Sequence, residues 1–341
     1  MRFFLLTLAF VLTTCSDPAP STISAPAAAP HGPGIYYWKT SWSLPPLEQD
    51  ALAKAGTKQL FVRLFDIDYD FNREEARPKG LLKLPDSLGV QHDFTLVPVV
   101  YIVERVFRQN IEVEELARRT ARTIRGIAAG HPGLSSASRW QIDCDWTVVS
   151  RDRYFAFLED LQQQNPDLTL SVTVRLHQYR ERIENGIPPV PEGLLMCYNM
   201  EPVSDAGSTN AIYQEKLLRG YLKAPPYPIP LDAALPVFSW GAAFRDSHFL
   251  GITDEPFSLP GLQQEIAPSR FIILKDTTIN GTFLRAGDNL RYDGPGDLAK
   301  LRAAAQLLKQ KTEVRDLLLF DWQEGLTNKY PPGEIWKEFY R

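Results

Sequence analysis

The stretch Arg139-Trp140-Gln141-Ile142-Asp143-Cys144-Asp145-Trp146-Thr147 decides how this chain folds. Successive side chains of a strand point to opposite faces. A strand over 139–145 therefore sets Asp143, Asp145 and Thr147 on one face and Cys144 and Trp146 on the other. The stretch 169–177 repeats the pattern, with Ser171, Thr173, Arg175 and His177 alternating with Val172, Val174 and Leu176. A strand that is polar on one face and apolar on the other fits a closed barrel, where the first face points inward and the second meets a layer of helices. In the stretch 194–199 the same rule puts Met196 and Tyr198 together and Cys197 opposite. Cys144 and Cys197 are then buried small hydrophobes on non-adjacent strands rather than a disulfide.

Working outward, strand-like and helix-like segments alternate along the chain, and such alternation predicts a parallel sheet with crossover helices. Strands are predicted over 35–42, 59–65, 95–103, 139–145, 169–177, 194–199, 235–240 and 316–321. Helices are predicted near 47–55, 112–129, 151–164, 212–222 and 334–340. Eight strands in one βα series favour a (β/α)8 barrel, an α/β fold, over an open doubly wound sheet. No G-x-G-x-x-G or phosphate loop follows any strand, so no nucleotide cofactor is implied. The segment 271–292, around Asn280-Gly281, reads as a small inserted pair of strands between the seventh and eighth strands. The barrel domain is expected over 35–341, with the insertion at about 270–292.

The chain has 341 residues and a net charge of -4, and it lacks a basic run, which argues against a nucleic-acid partner. Five His and three Cys, with no C-x-x-C or H-E-x-x-H, give no sign of a metal site or cofactor. Arg2 followed by the apolar run Phe3 to Leu12 reads as a secretory signal, too short to span a bilayer. The sequence Leu12-Thr13-Thr14-Cys15 resembles the bacterial lipoprotein cleavage box, except for Thr14. That resemblance implies that residues 1–15 end in a lipidated Cys15 and that the protein sits in the cell envelope, the alternative being an ordinary cleaved signal with Cys15 incidental. The Pro/Ala/Ser-rich residues 16–34 cannot bury apolar surface and read as a disordered tether. Ser16 favours the outer membrane, and a monomer is expected.

Barrel sites lie at the C-terminal ends of the strands. Candidates there are Asp66, Asp68 and Asp70 after the second strand, Glu104 after the third, and Asp143 and Asp145 in the fourth. They continue with Arg175 and His177, with Tyr198, Asn199 and Glu201, with Trp240, and with Asp321, Trp322 and Glu324. Carboxylates beside aromatic rings suit a glycan, because sugar rings pack their apolar faces on aromatics and carboxylates accept hydrogen bonds from hydroxyls. Paired carboxylates also run glycoside hydrolysis. Asp143 and Asp145 could instead simply pair with Arg175 inside the barrel. The Asp66-Asp68-Asp70 group lacks the glycine of a calcium loop and reads as a solvated rim loop. The acids of 112–115 read as an exposed helix start.

The run from Trp140 to Thr147 resembles the D-x-x-D-x-D-x-E motif of family 18 glycoside hydrolases, the chitinase and endo-N-acetylglucosaminidase group. Met196-Cys197-Tyr198-Asn199 is similar to that family's M-x-Y-D, and Phe238-Ser239-Trp240-Gly241 to its P-F-Y-G. The insertion and Tyr292-Asp293-Gly294-Pro295 agree in position. The resemblance implies a remote relative in which Asp143 tunes Asp145, Asp145 orients a 2-acetamido group, and Tyr198 holds its oxygen. Trp322, or failing it Phe320, would lie under the sugar.

The departures fall on the chemistry. Thr147 stands where the family's general acid would be, Trp140 replaces the first Asp, and Asn199 replaces the last. The expected function is an exported barrel that binds, and with an acid from Glu104, Glu201 or Glu324 hydrolyses, an N-acetylhexosamine-containing envelope glycan. The alternative is a non-catalytic envelope lipoprotein using the barrel mouth to bind a protein or polysaccharide. A hydrolase built on His177 has no nucleophile motif behind it.

Overall fold

The computed structural model describes residues 29–253, 261–279 and 281–341. The expected signal segment, Cys15, residues 16–28 of the expected tether and Asn280 lie outside the described residues. Eight parallel strands close on themselves: β1 (Gly34–Tyr37), β2 (Gln59–Asp70), β4 (Thr95–Ile102), β5 (Arg139–Asp143), β6 (Thr169–Arg175), β7 (Glu192–Met196), β8 (Leu231–Pro236) and β16 (Leu317–Phe320). Gly34 of β1 pairs with both Gln59 of β2 and Leu318 of β16, which closes the ring. The expected α/β barrel is the fold.

The longer helices form the outer layer by burying an apolar stripe. In the helix Val113–Ala128 the buried residues Leu116, Ala117, Thr120, Ala121, Ile124 and Ala128 recur every three or four positions. They face the apolar sides of the strands. Cys144, Cys197 and Trp146 lie in this interlayer core, and both thiols are free. No described helix is long and apolar enough to cross a membrane.

Three segments differ from the expectation. The acidic stretch 66–70 is not a loop. It extends β2 beyond the barrel rim and pairs antiparallel with β3 (Glu75–Lys79). Its Asp-Ile-Asp-Tyr-Asp alternation is itself the strand period, and cations neutralise the acids: Asp66 binds Arg63, Asp68 binds Arg105 and Lys79, and Asp70 binds Arg73. The seventh barrel strand is β8 at Leu231–Pro236, not 235–240. Its start was masked by Asp232, a buried acid paired with Arg315 at 3.1 Å. Its end is set by Pro236, which has no N–H to donate to the ladder.

The insertion is also larger than a strand pair. The hairpin of β13 (Thr277–Ile279) and β14 (Thr282–Leu284) is present where the turn was expected. Beside it stands a five-stranded antiparallel sheet of β9 (Trp240–Arg245), β10 (His248–Thr253), β11 (Gln263–Ala267), β12 (Arg270–Ile273) and β15 (Asn289–Asp293). A small core of Ala243, Ile273, Leu284 and Leu290 holds the insertion together.

Candidate functional site

The mouth of the barrel is built on strand ends. β5 delivers Asp143 at its last position, and Asp145 follows two residues on. Asp143 is buried, and it accepts a hydrogen bond from Gln141 Nε2 at 2.7 Å. The same amide nitrogen reaches Tyr36 Oη at 2.5 Å. Burial pushes the Asp143 carboxyl up to about 8, with the nearby Asp145 charge adding to it and the bonds from Gln141 and Thr173 opposing it. Asp145 is partly exposed, and Arg175 Nη1 stands 3.1 Å from both of its oxygens. Arg175 Nη2 donates to the Asn199 carbonyl at 3.2 Å. The expected pairing with Arg175 therefore holds for Asp145, whereas Asp143 is held by Gln141 and Thr173. Asn199 sits just past β7 at φ 52°, a left-handed conformation that asparagine tolerates better than most residues.

Around these groups runs a continuous line of rings. Trp38 lies 5.3 Å from Phe320 between centroids, Phe320 stacks on Tyr198 at 4.9 Å, and Phe238 lies 5.6 Å from Phe320. Phe238 then meets Trp240 at 5.4 Å. Tyr101 of β4 closes the other side against Trp38 at 6.4 Å. Burial, and then the charge on Asp145, raise the Tyr101 hydroxyl, so it is a neutral donor and acceptor at the mouth. Burial does the same for Tyr198. The aromatic line continues into a cleft of about 470 Å³ lined by Phe238, Trp240, Asp321, Gln323, Glu324 and Lys329. Burial raises Asp321 there to about 6, against two hydrogen bonds from Gln323 Nε2 at 2.9 Å.

The remaining sequence candidates take varied places. Trp322 lies two residues past the end of β16, with its backbone N–H still bonded to the Tyr36 carbonyl of β1 at 2.8 Å. It stacks on Tyr37 at 5.6 Å, with its indole N–H 3.4 Å from Glu48, in the layer under the helices. Phe320 takes the inward place instead. His177 is exposed on the helix Leu176–Arg180, which begins where β6 ends at Arg175. Glu201 is occupied at 2.5 Å by both Ser208 and Gln214. Glu324 is exposed on the cleft rim.

Glu104 is close to the altered acid position: Thr147 Oγ1 donates to its Oε1 at 2.8 Å. Burial pushes the Glu104 carboxyl up, but bonds from Arg108, Thr147 and Ser150 outweigh burial and hold it below the ordinary range. Glu104 is thus an ionised carboxylate at neutral pH, fit to accept a proton rather than donate one. Trp38, Tyr101, Tyr36 and Gln141 were missed from sequence. The signal for Tyr101 was available, as an aromatic at the C-terminal end of a barrel strand. Gln141 gave none, since its role depends on contacts across the lumen. Chemically, the mouth offers partly exposed aromatic surface flanked by a carboxylate, a guanidinium and the Tyr101 phenol.

No family model and no curated protein matches the chain. Among solved structures it is similar to chitinase ChiW of Paenibacillus sp. str. FPU-7, a cell-surface-expressed multi-modular enzyme, at 10% identity and a TM-score of 0.53. That match covers 92% of this chain and 33% of ChiW, so the chain spans about one third of that enzyme's length. The catalytic domain of a hyperthermophilic chitinase from Pyrococcus furiosus aligns at 11% identity and a TM-score of 0.41, over 86% of this chain and 85% of that one. The ChiA C-terminal domain of Legionella pneumophila aligns at 10% identity and 0.39, over 90% and 96%. The ChiW match shows a shared barrel fold, and at the level of fold the expected likeness to chitinases is found.

Proposed function

We propose that the barrel mouth is a binding site for an N-acetylhexosamine-containing glycan. One observation carries this reading: the unbroken line of partly exposed rings from Trp38 through Phe320 and Phe238 to Trp240, backed by the buried Tyr198, beside Asp145 and Arg175. Ring faces match the apolar faces of successive sugars, and the ion pair supplies both an acceptor and donors for their hydroxyl and amide groups. The fold shared with ChiW supports the same class of ligand. The arrangement favours binding over cleavage by the acetamido-assisted route, because Thr147 cannot act as an acid and Arg175 engages the very carboxylate that would orient the acetamido group. A second reading, hydrolysis through a relocated group, has one observation in its favour, the Glu104 carboxylate against Thr147.

The purified protein, Asp145→Ala and Glu104→Gln, titrated with chitotetraose and peptidoglycan fragments and followed by product analysis, separate these readings. Binding lost in Asp145→Ala with no products supports a non-catalytic glycan binder. Products that vanish in Glu104→Gln would establish an enzyme, and no binding by the parent protein rejects the glycan reading. We also propose export and envelope anchoring through Cys15. Metabolic labelling with a radioactive fatty acid should mark the protein, and Cys15→Ser should abolish the label; an unlabelled parent protein rejects the anchor.

A further inference from the structure

We propose that Asp293 is a positioning residue whose task is to hold the Trp240 ring at the outer end of the glycan site. The inference rests on the glycan reading above and adds to it the device that sets this end of the site. Trp240 and Asp293 are direct partners across the antiparallel pair β9–β15. Trp240 lines the cleft and is only half-buried, whereas Asp293 and its neighbour Arg291 are both 0% exposed. Trp240 Nε1 donates to Asp293 Oδ2 at 3.0 Å. Arg291 donates to the two oxygens of the same carboxylate at 2.7 and 2.8 Å. An exposed indole normally turns freely about its side-chain bonds, and a charged acceptor that is itself immobilised removes that freedom.

The same guanidinium also fixes a neighbouring loop. Arg291 reaches the carbonyls of Asp205, Ser208 and Val203, in the loop that follows β7. Asn210 of that loop in turn donates to the Gly294 carbonyl at 2.7 Å. At Gly294 an added Cβ would come within 2.9 Å of Ser239, next to Trp240, so the backbone on both sides of the pair is closely fitted. One buried ion pair therefore sets the ring and the loop together, before any ligand arrives. Such preorganisation raises affinity by removing an ordering cost that binding would otherwise meet.

A double-mutant cycle tests this with chitotetraose as the probe. Asp293→Asn, Trp240→Phe and the double variant are compared with the parent protein by calorimetry, and folding is checked by circular dichroism. The expected result is a weakening of about five-fold or more in Asp293→Asn, with no further weakening when it is added to Trp240→Phe. Equal weakening in both backgrounds, or none in either, would overturn the proposal in favour of a purely structural pair. Should Asp293→Asn fail to fold, the paired replacement Arg291→Leu with Asp293→Leu removes the acceptor without leaving a buried charge and takes its place in the cycle. A second readout does not need a ligand. The indole N–H resonance that disappears in Trp240→Phe should be protected from solvent exchange in the parent protein and lose that protection in the Asp293 variant. If the parent protein binds no probe, the glycan reading fails, and this resonance alone decides whether Asp293 holds the ring: protection unchanged in the variant overturns the positioning.

Discussion

Asp145 and Arg175 face each other across the ends of neighbouring strand segments, with one guanidinium nitrogen 3.1 Å from each carboxylate oxygen. The pair is partly exposed, so its contribution to stability is small, about 0–1 kcal/mol after screening by water. Its position at the mouth gives it a larger part in binding. Asp145→Ala is expected to weaken chitotetraose at least ten-fold while changing stability by no more than about 1 kcal/mol. Calorimetry and a urea titration on the same preparation check this. Unchanged affinity would remove Asp145 from the site.

Asp143 behaves in the opposite way. Its carboxyl titrates at about 8 in the folded protein, raised by burial, against roughly 3.9 in an unfolded chain. Between those values the native state keeps a proton that the unfolded state has released, so this residue makes stability fall as pH rises from about 4 to 8. Asp232 and Asp321, both raised to about 6 chiefly by burial, slope the same way, so the informative quantity is the difference between parent and variant. Asp143→Asn should lose its own share of the decline and gain relative stability at pH 8.5 over pH 5. Parallel stability curves for the two proteins would show that Asp143 is ionised throughout.

How far the sequence could be read follows from these residues. The two-residue spacing of Asp143 and Asp145 and the apolar parity of Cys144 and Trp146 are local properties, so the strand and its faces were legible. The barrel followed from the repetition of such strands. What was not legible depended on where a strand ends. His177 and Trp322 both continue an inward parity on paper, yet β6 ends at Arg175 and β16 at Phe320, and both residues lie beyond those ends. Distant pairing hid the rest: Asp232 reads as a strand breaker until its partner Arg315, 83 positions on, is brought beside it.

The exchange of roles between Phe320 and Trp322 is itself testable. Phe320 touches Tyr36, Trp38, Tyr198 and Phe238, so Phe320→Ala should break the line of rings and weaken chitotetraose at least ten-fold, with a loss of stability of about 2–4 kcal/mol. Trp322→Phe should lower the melting temperature by loosening the contact with Tyr37 and leave affinity unchanged. A Trp322 variant that folds well but cannot bind would return that ring to the sugar site.

The face of the barrel opposite the mouth carries a buried ion cluster. Glu192 lies 3.2 Å from Arg139, 2.9 Å from Arg315 and 3.2 Å from His31. Burial pushes its carboxyl up, but these three neighbours outweigh burial and bring it down to about 2. A lowered carboxyl stabilises the fold above its unfolded value near 4.3, and that contribution is lost as pH falls towards 2. Glu192→Gln removes the charge and leaves two nearly buried arginines short of a counter-ion, at a cost of about 3 kcal/mol. The variant should therefore be less stable at pH 7 and show less additional loss between pH 4 and 2 than the parent protein. Its affinity for chitotetraose at pH 7 should be unchanged, because the geometry of the mouth does not depend on a cluster at the other end of the strands. Denaturant midpoints at pH 7, 4 and 2 with calorimetry at pH 7 check both halves, and loss of binding in a folded Glu192→Gln protein would mean that the two ends of the barrel are coupled.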